Sequence, residues 1–399
     1  MSTFDGIIRE ITGISVDRFD GKNLYSSAFF LSHCHADHMK GLLAVGFQEK
    51  LISENRFLYL SSLSAIILRK LVPNISTQIK ELPLEQISSI SVENNNISVT
   101  CIPAGHCPGS VMFLFETKQV NILCTGDFRI DPEDITKFKC FYDTFGKVKP
   151  INTIYLDTTF FMKSYSFLPT REESLSELCK IISKWISLNP ENCIKLDVRA
   201  KYGYEYVFKE IYENFKMPVH VDEEKYSFYS IIPELEYCVT KDGSKTQIHN
   251  CRFDQKDICD DSNKDKMRII KLSALRWRDE DLVSGISQID NDGIFYVCYS
   301  THASYEEGLA LINLLKPKNI HICVDWLNDP DASATIKKLV ENETKKVNNI
   351  AGSNTVESPK LFNVVHPEKG NSSRQNEIFI ESPRNKIART DSILDSPPR

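Results

Sequence analysis

No apolar run in the 399-residue chain reaches the roughly 18 residues that a membrane-spanning helix requires. No membrane partner is expected on that ground. The opening, "MSTFDGIIRE", has no basic stretch followed by a long apolar core, so it does not read as a secretory signal. Positive charge is not in excess: 48 Lys and Arg stand against 54 Asp and Glu, for a net charge of −6. That balance argues against holding nucleic acid by bulk electrostatics, although a metal or a local basic patch still supplies positive potential. Internal repeats are also lacking. Histidine is scarce, with nine residues in the whole chain.

Cysteine is not scarce. There are twelve, and in a leaderless chain of this size they read as reduced thiols rather than disulfides. Cys124 in "NILCTGDF" and Cys298 in "IFYVCYS" lie inside apolar runs, as small buried hydrophobes do.

The first 160 residues are rich in strand-like segments. "SSAFFLSHCH", "ISVTCIPAGH", "SVMFLFET", "VNILCTGDF" and "NTIYLDTTF" each carry a short apolar or β-branched run. Three of them end in His106, Asp127 and Asp157, polar groups placed where strands give way to loops. From about residue 165 the pattern changes. "TREESLSELCKIISKWISLN" puts Leu175, Leu178, Ile181, Ile182 and Trp185 on one helical face behind a Thr170 or Ser174 start. "CIKLDV", "EYVFKEIYENF" and "PVHVD" then alternate strand, helix, strand, which predicts a second, parallel-sheet domain. After about residue 343 large apolar residues become few, and the tail reads as disordered.

A third of the scarce histidines crowd into one turn. "HCHADH" holds His33, His35, Asp37 and His38 within six positions. Imidazole and carboxylate are the ligands that zinc prefers. With His106 in "AGHCPGS" and Asp127 in "TGDFR", the set His33, His35, His106 and Asp127 suits one metal. Asp37 and His38, sharing Asp127, suit a second.

The order "HCHADH", "GH", "GDF" resembles the metallo-β-lactamase fold, an αβ/βα sandwich in the α/β class. The further segments "SVDRFD", "PAGHCPGSVMFLF", "YLDTTF", "YGYEYVF" and "THASY" resemble the DNA-repair branch of the β-CASP nucleases over roughly residues 1 to 340. The resemblance implies a first metallo-β-lactamase part at 1–158, an inserted α/β β-CASP domain at 159–293, a second metallo-β-lactamase part at 294–342, and a tail at 343–399. It implies that Asp17 supports the metal loops and that Asp157 orients a metal-bound histidine. By the same resemblance His302 would contact the scissile phosphate or act as the acid. Val324 stands where RNA-processing relatives carry a histidine, which favours DNA over RNA and removes one ligand from the second metal.

The same resemblance extends to supporting sites. His220, His249, Cys251 and Cys259 form a two-His, two-Cys set suited to a structural zinc, with Asp254 or Asp257 as alternatives for the fourth place. Thr159, Arg199 and Tyr204 match a pocket for a DNA phosphate. Arg129, Lys163, Arg171, Lys201, Arg276 and Arg278 are candidate phosphate contacts, and Trp277 is a candidate for stacking on an unpaired base. The expected activity is metal-dependent hydrolysis of DNA phosphodiesters, in which a cation provides a nucleophile at neutral pH and neutralises the phosphate. Asp37, His38, Asp157, His302 and Asp17 are its candidate catalytic residues. The expected cofactors are zinc at the active and structural sites, with magnesium or a second zinc as the other active-site ion. The expected setting is a nuclear monomer that opens hairpins and trims overhangs in non-homologous end joining, beside a DNA-dependent protein kinase and an end-joining ligase complex. The alternatives are an RNA-processing β-CASP nuclease and a catalytically silent end-binding scaffold.

Overall fold

The computed structural model describes residues 2–352, apart from 94, 199–201, 252–264 and 327. The strands of its first part alternate between two cores, as a period of two demands. A four-stranded parallel sheet is built from β1 (Ile14–Val16), β2 (Ala28–Phe30), β3 (Phe57–Ser61) and β4 (Ile79–Leu82), in that order. A six-stranded sheet has the order β17-β9-β8-β7-β6-β5. Its strands are β5 (Ile87–Val92), β6 (Asn95–Pro103), β7 (Val111–Glu116), β8 (Asn121–Cys124), β9 (Thr153–Leu156) and β17 (Asn319–Ile322).

Ala28 and Phe30 of the smaller sheet share one core with Val111, Phe113 and Phe115 of the larger. Met112 and Leu114 point the other way, toward the helices Tyr305–Leu315 and Pro330–Gly352. Phe29 and Leu58 face the helices Val45–Ser53 and Ser62–Leu71. The layering is therefore helices, sheet, sheet, helices.

Between β9 and β17 the chain builds a third sheet. Its strands are β10 (Cys193–Asp197), β11 (Val219–His220), β12 (Val239–Thr240), β13 (Ile248–His249), β14 (Met267–Leu272), β15 (Ser287–Ile289) and β16 (Phe295–Val297), in the order β12-β11-β13-β10-β14-β16-β15. All pairings are parallel except β15 with β16. The helix Arg171–Ile186 covers this sheet. Thr170 starts it with a capping box, its hydroxyl accepting from the Glu173 amide while Glu173 accepts from the Thr170 amide.

β16 belongs to the third sheet, pairing in parallel with β14. The helix Pro330–Gly352 runs past 343, where the tail was expected to start. Glu343 is buried and Val347 packs on the sandwich core. Three strands of the small sheet were not foreseen: β1, β3 and β4 are only three to five residues long, and β4 carries Lys80 and Glu81 between its apolar ends.

Candidate active site

β6, β8, β9 and β17 run in the same direction within the larger sheet. Their following loops therefore leave from one edge, carrying His106, Asp127, Asp157 and Val324. β2 of the smaller sheet delivers "SHCHADH" to the same place. The turn before Asp127 needs glycine: Gly126 has φ +51°, and a Cβ there would lie 2.6 Å from the Ser32 hydroxyl.

His33, His35, His106 and Asp127 offer four ligand atoms within 4.8 Å of one another. The nitrogen each imidazole leaves free follows from its other hydrogen bond. His35 Nε2 lies 3.0 Å from the Tyr202 carbonyl and His106 Nδ1 lies 2.9 Å from the Thr301 carbonyl. A carbonyl only accepts, so both nitrogens carry protons. Ser32 spends its hydroxyl proton on Asp17 at 2.7 Å and so accepts from His33 Nδ1 at 2.9 Å. That leaves lone pairs on His33 Nε2, His35 Nδ1 and His106 Nε2. The last two face each other at 3.0 Å, an arrangement that repels unless a cation lies between. His33 Nε2 is buried with no hydrogen-bond partner among the described residues. The donor set therefore fits a divalent metal.

Charge agrees with geometry. Burial, followed by neighbouring imidazoles, holds His33 and His106 well below the usual range and lowers His35 to about 4. Burial alone would raise Asp127, but His38 and His302 reverse this and hold it well below the usual carboxylate range. The site thus presents neutral imidazoles and an ionised carboxylate, the forms that bind metal.

A second set adjoins it. His38 Nε2 lies 3.2 Å from Asp127 and 3.9 Å from Asp37. Its Nδ1 is held by Asp17 at 2.9 Å. Asp17 adopts the left-handed conformation at φ 56°, which is uncommon for a residue other than glycine. Its carboxylate accepts from the Ser32 amide and hydroxyl as well as from His38. Asp17 therefore buttresses the loop from behind. Asp37 is half-buried and accepts from the Ser2 amide at 2.8 Å.

Asp157 holds His302 Nδ1 at 2.9 Å, and Asp127 lies near both. The histidine that Asp157 orients is therefore His302. Burial would lower His302, yet Asp157 and Asp127 raise it above the ordinary value. Val324 is buried and exchanges two hydrogen bonds with the Thr158 hydroxyl.

Two residues of the expected phosphate pocket lie among the described residues. Thr159 donates its hydroxyl to Asp157 at 2.6 Å, and the Tyr204 ring stacks on Tyr299 with centroids 6.0 Å apart. Arg199 lies outside the described residues, as do Lys201, Cys259, Asp254 and Asp257. The remaining members of the second zinc set, His220, His249 and Cys251, have ligand atoms within 4.8 Å of one another. His220 on β11 and His249 on β13 are direct register partners.

Three expected DNA contacts are corrected. Arg129 is buried, donating to the carbonyls of Ser300, Leu168 and Pro169. Arg171 donates to the Gly105 carbonyl. Trp277 is fully buried in the core against the larger sheet. In each case the packing demand of a domain junction took a residue whose type suits DNA equally well. Arg278 lies over the Tyr165 ring at 4.3 Å, and Arg276 lies over Tyr296 at 3.9 Å. Lys163 is exposed. Residues not anticipated are Ser32 and the backbone of Ser2, Tyr202 and Thr301. Ser32 adjoins the histidine motif in sequence, whereas a backbone carbonyl leaves no mark on residue type.

Comparison with known proteins gives the same direction. Residues 233–326 match the family described as "DNA repair metallo-beta-lactamase". Protein artemis of Rattus norvegicus is 34% identical over 342 residues, covering 80% of this chain and 48% of that protein. Protein artemis of Homo sapiens is 33% identical over 363 residues, covering 86% and 51%. The DNA cross-link repair 1A protein of Mus musculus is 27% identical over 324 residues, covering 77% and 30%. The chain thus spans about half the length of the artemis proteins it matches. By sequence the chain is similar to the artemis proteins over most of its length, and its residues 233–326 match the DNA repair metallo-beta-lactamase family.

Proposed function

We propose that the chain is a zinc-dependent deoxyribonuclease that hydrolyses phosphodiester bonds at DNA ends, opening hairpins and trimming overhangs in double-strand break repair. The observation that carries this reading is the convergence of three imidazole lone pairs and one ionised carboxylate at the shared edge of the larger sheet. The similarity to the artemis proteins supports DNA as the substrate. It also supports a nuclear setting, with a DNA-dependent protein kinase and an end-joining ligase complex as partners.

His33, His35, His106 and Asp127 would hold one zinc. Asp37, His38 and Asp127 would hold a second zinc or a magnesium. When bound, such ions supply a nucleophile at neutral pH and neutralise charge on the phosphate. The chain's own residues do the rest. Asp17 fixes the His38 ring and, through Ser32, the His33 ring. Asp157 holds His302 Nδ1 and, against burial, raises it above its ordinary value, which favours the proton-carrying form that would protonate the leaving oxygen. Thr159, Arg199 and Tyr204 would seat a neighbouring phosphate. His220, His249, Cys251 and Cys259 would close a structural zinc site. The domain limits proposed are 2–158 with 298–352 for the sandwich and 159–297 for the insertion.

The test is cleavage of a 5′-labelled DNA hairpin with a single-stranded overhang, beside the matching RNA, with and without chelator. Chelator-sensitive cleavage of DNA alone is expected. Asp37→Ala is expected to abolish it while leaving DNA binding and melting temperature near wild type. Full activity in that variant, or cleavage of RNA in place of DNA, would refute the assignment.

A further inference from the structure

Among the described residues, the turn Tyr202–Gly203–Tyr204–Glu205, which leads into the helix Glu205–Phe215, brings the inserted segment against His35. The Tyr202 carbonyl lies 3.0 Å from His35 Nε2, and its ring stands edge-on to the His35 ring at 5.4 Å. The Tyr202 hydroxyl donates to the Pro108 carbonyl, two residues beyond His106. One residue of the insertion therefore holds both metal-bearing loops of the sandwich. Gly203 follows with φ +117°, and a Cβ there would stand 3.1 Å from His35 Nε2. Its amide donates to Glu205 Oε1 at 2.7 Å. Glu205 is 1% exposed. A buried carboxyl is costly unless its hydrogen bonds are needed, and here it has no role in the chemistry proposed above.

We propose that Glu205 is a positioning residue for the metal site: it locks the Tyr202–Gly203 turn, and the turn decides which nitrogen of His35 faces the metal. The chain of contacts is short. Glu205 fixes the Gly203 amide, this fixes the preceding Tyr202 carbonyl, and the carbonyl holds the proton on His35 Nε2. The lone pair is then left on Nδ1, 3.0 Å from His106 Nε2. Without the turn the His35 ring is free to change tautomer and rotate. The inference rests on the reading that the cluster binds a divalent metal.

The experiment titrates cobalt(II) into chelator-stripped protein and follows visible absorption. A thiolate-to-cobalt charge-transfer band marks the Cys251 site and is absent from the His and Asp set, so the two sites are scored separately. Glu205→Leu removes the acceptor at similar volume and is expected to weaken the thiolate-free site by about 10- to 100-fold, the usual effect of losing an outer-shell partner. Glu205→Gln keeps an acceptor oxygen and is expected to restore it. Gly203→Ala, which presses a methyl against His35, is an independent arm and is expected to weaken the same site. The thiolate band should titrate as in wild type in all three. Folded Glu205→Leu and Gly203→Ala chains that bind cobalt at the thiolate-free site as tightly as wild type would overturn the inference alone. A wild-type chain with no thiolate-free cobalt site would overturn the functional reading and the inference with it.

Discussion

Each imidazole of the cluster has one nitrogen committed to an oxygen acceptor, and the identity of that acceptor sets what the other nitrogen does. Asp17→Asn tests this for His38. It weakens the acceptor for His38 Nδ1 and for the Ser32 hydroxyl, so metal affinity is expected to fall about 10- to 100-fold, measured by competition with a chromophoric chelator. Glu205 gives a second residue-level prediction, in stability. Burial pushes its carboxyl up to about 7, against hydrogen bonds from the Gly203 amide and the Tyr229 hydroxyl. An acid raised in the folded state stabilises fully below its unfolded pKa and loses that contribution as pH climbs through the folded value. Glu205→Gln is therefore expected to exceed wild type by up to about 3 kcal/mol above pH 7, with the gap closing below about pH 4.5. Urea melts across that range measure it. The candidate ligand side chains that cluster in the structure were legible in the sequence because residue type and spacing carry their chemistry. The Tyr202 and Thr301 carbonyls were not, since every residue has one and only the fold aims it.

Among the elements, the junction between sandwich and insertion is where residue type misled. Arg129 sits in "TGDFR" and suits a phosphate, yet its guanidinium ties β8's loop to the Leu168–Pro169 segment and to the Ser300 carbonyl. Arg129→Met is expected to destabilise the fold by a few kcal/mol, since buried carbonyls lose their donor. The slope of log DNA affinity against log salt should stay unchanged. Lys163→Gln, at an exposed position, is expected to reduce that slope by about one and leave the melt unchanged. The helix Arg171–Ile186 was readable because its period and capping box agree. The small parallel sheet was not: its short strands are defined by pairing with one another rather than by their own pattern. Scarce large apolar residues after about 343 hid the end of the last helix, whose Glu343 is buried.

At the scale of the molecule, a net charge of −6 leaves the proposed active site to supply its own attraction for phosphate, which a metal centre does. Under the proposed function the two candidate sets would divide the labour: one at the sandwich edge for chemistry, one at β11 and β13 for the insertion's stability. The measurement that separates them most directly is metal-dependent recovery of cleavage after stripping, in wild type, His33→Ala and His249→Ala. Zinc added back is expected to restore hairpin cleavage to wild type and to His249→Ala, the latter with a lowered melting temperature and zinc content. His33→Ala is expected to stay inactive at every zinc concentration while melting near wild type. Hairpin cleavage by His33→Ala at the wild-type rate would contradict the assignment of this cluster as the catalytic centre.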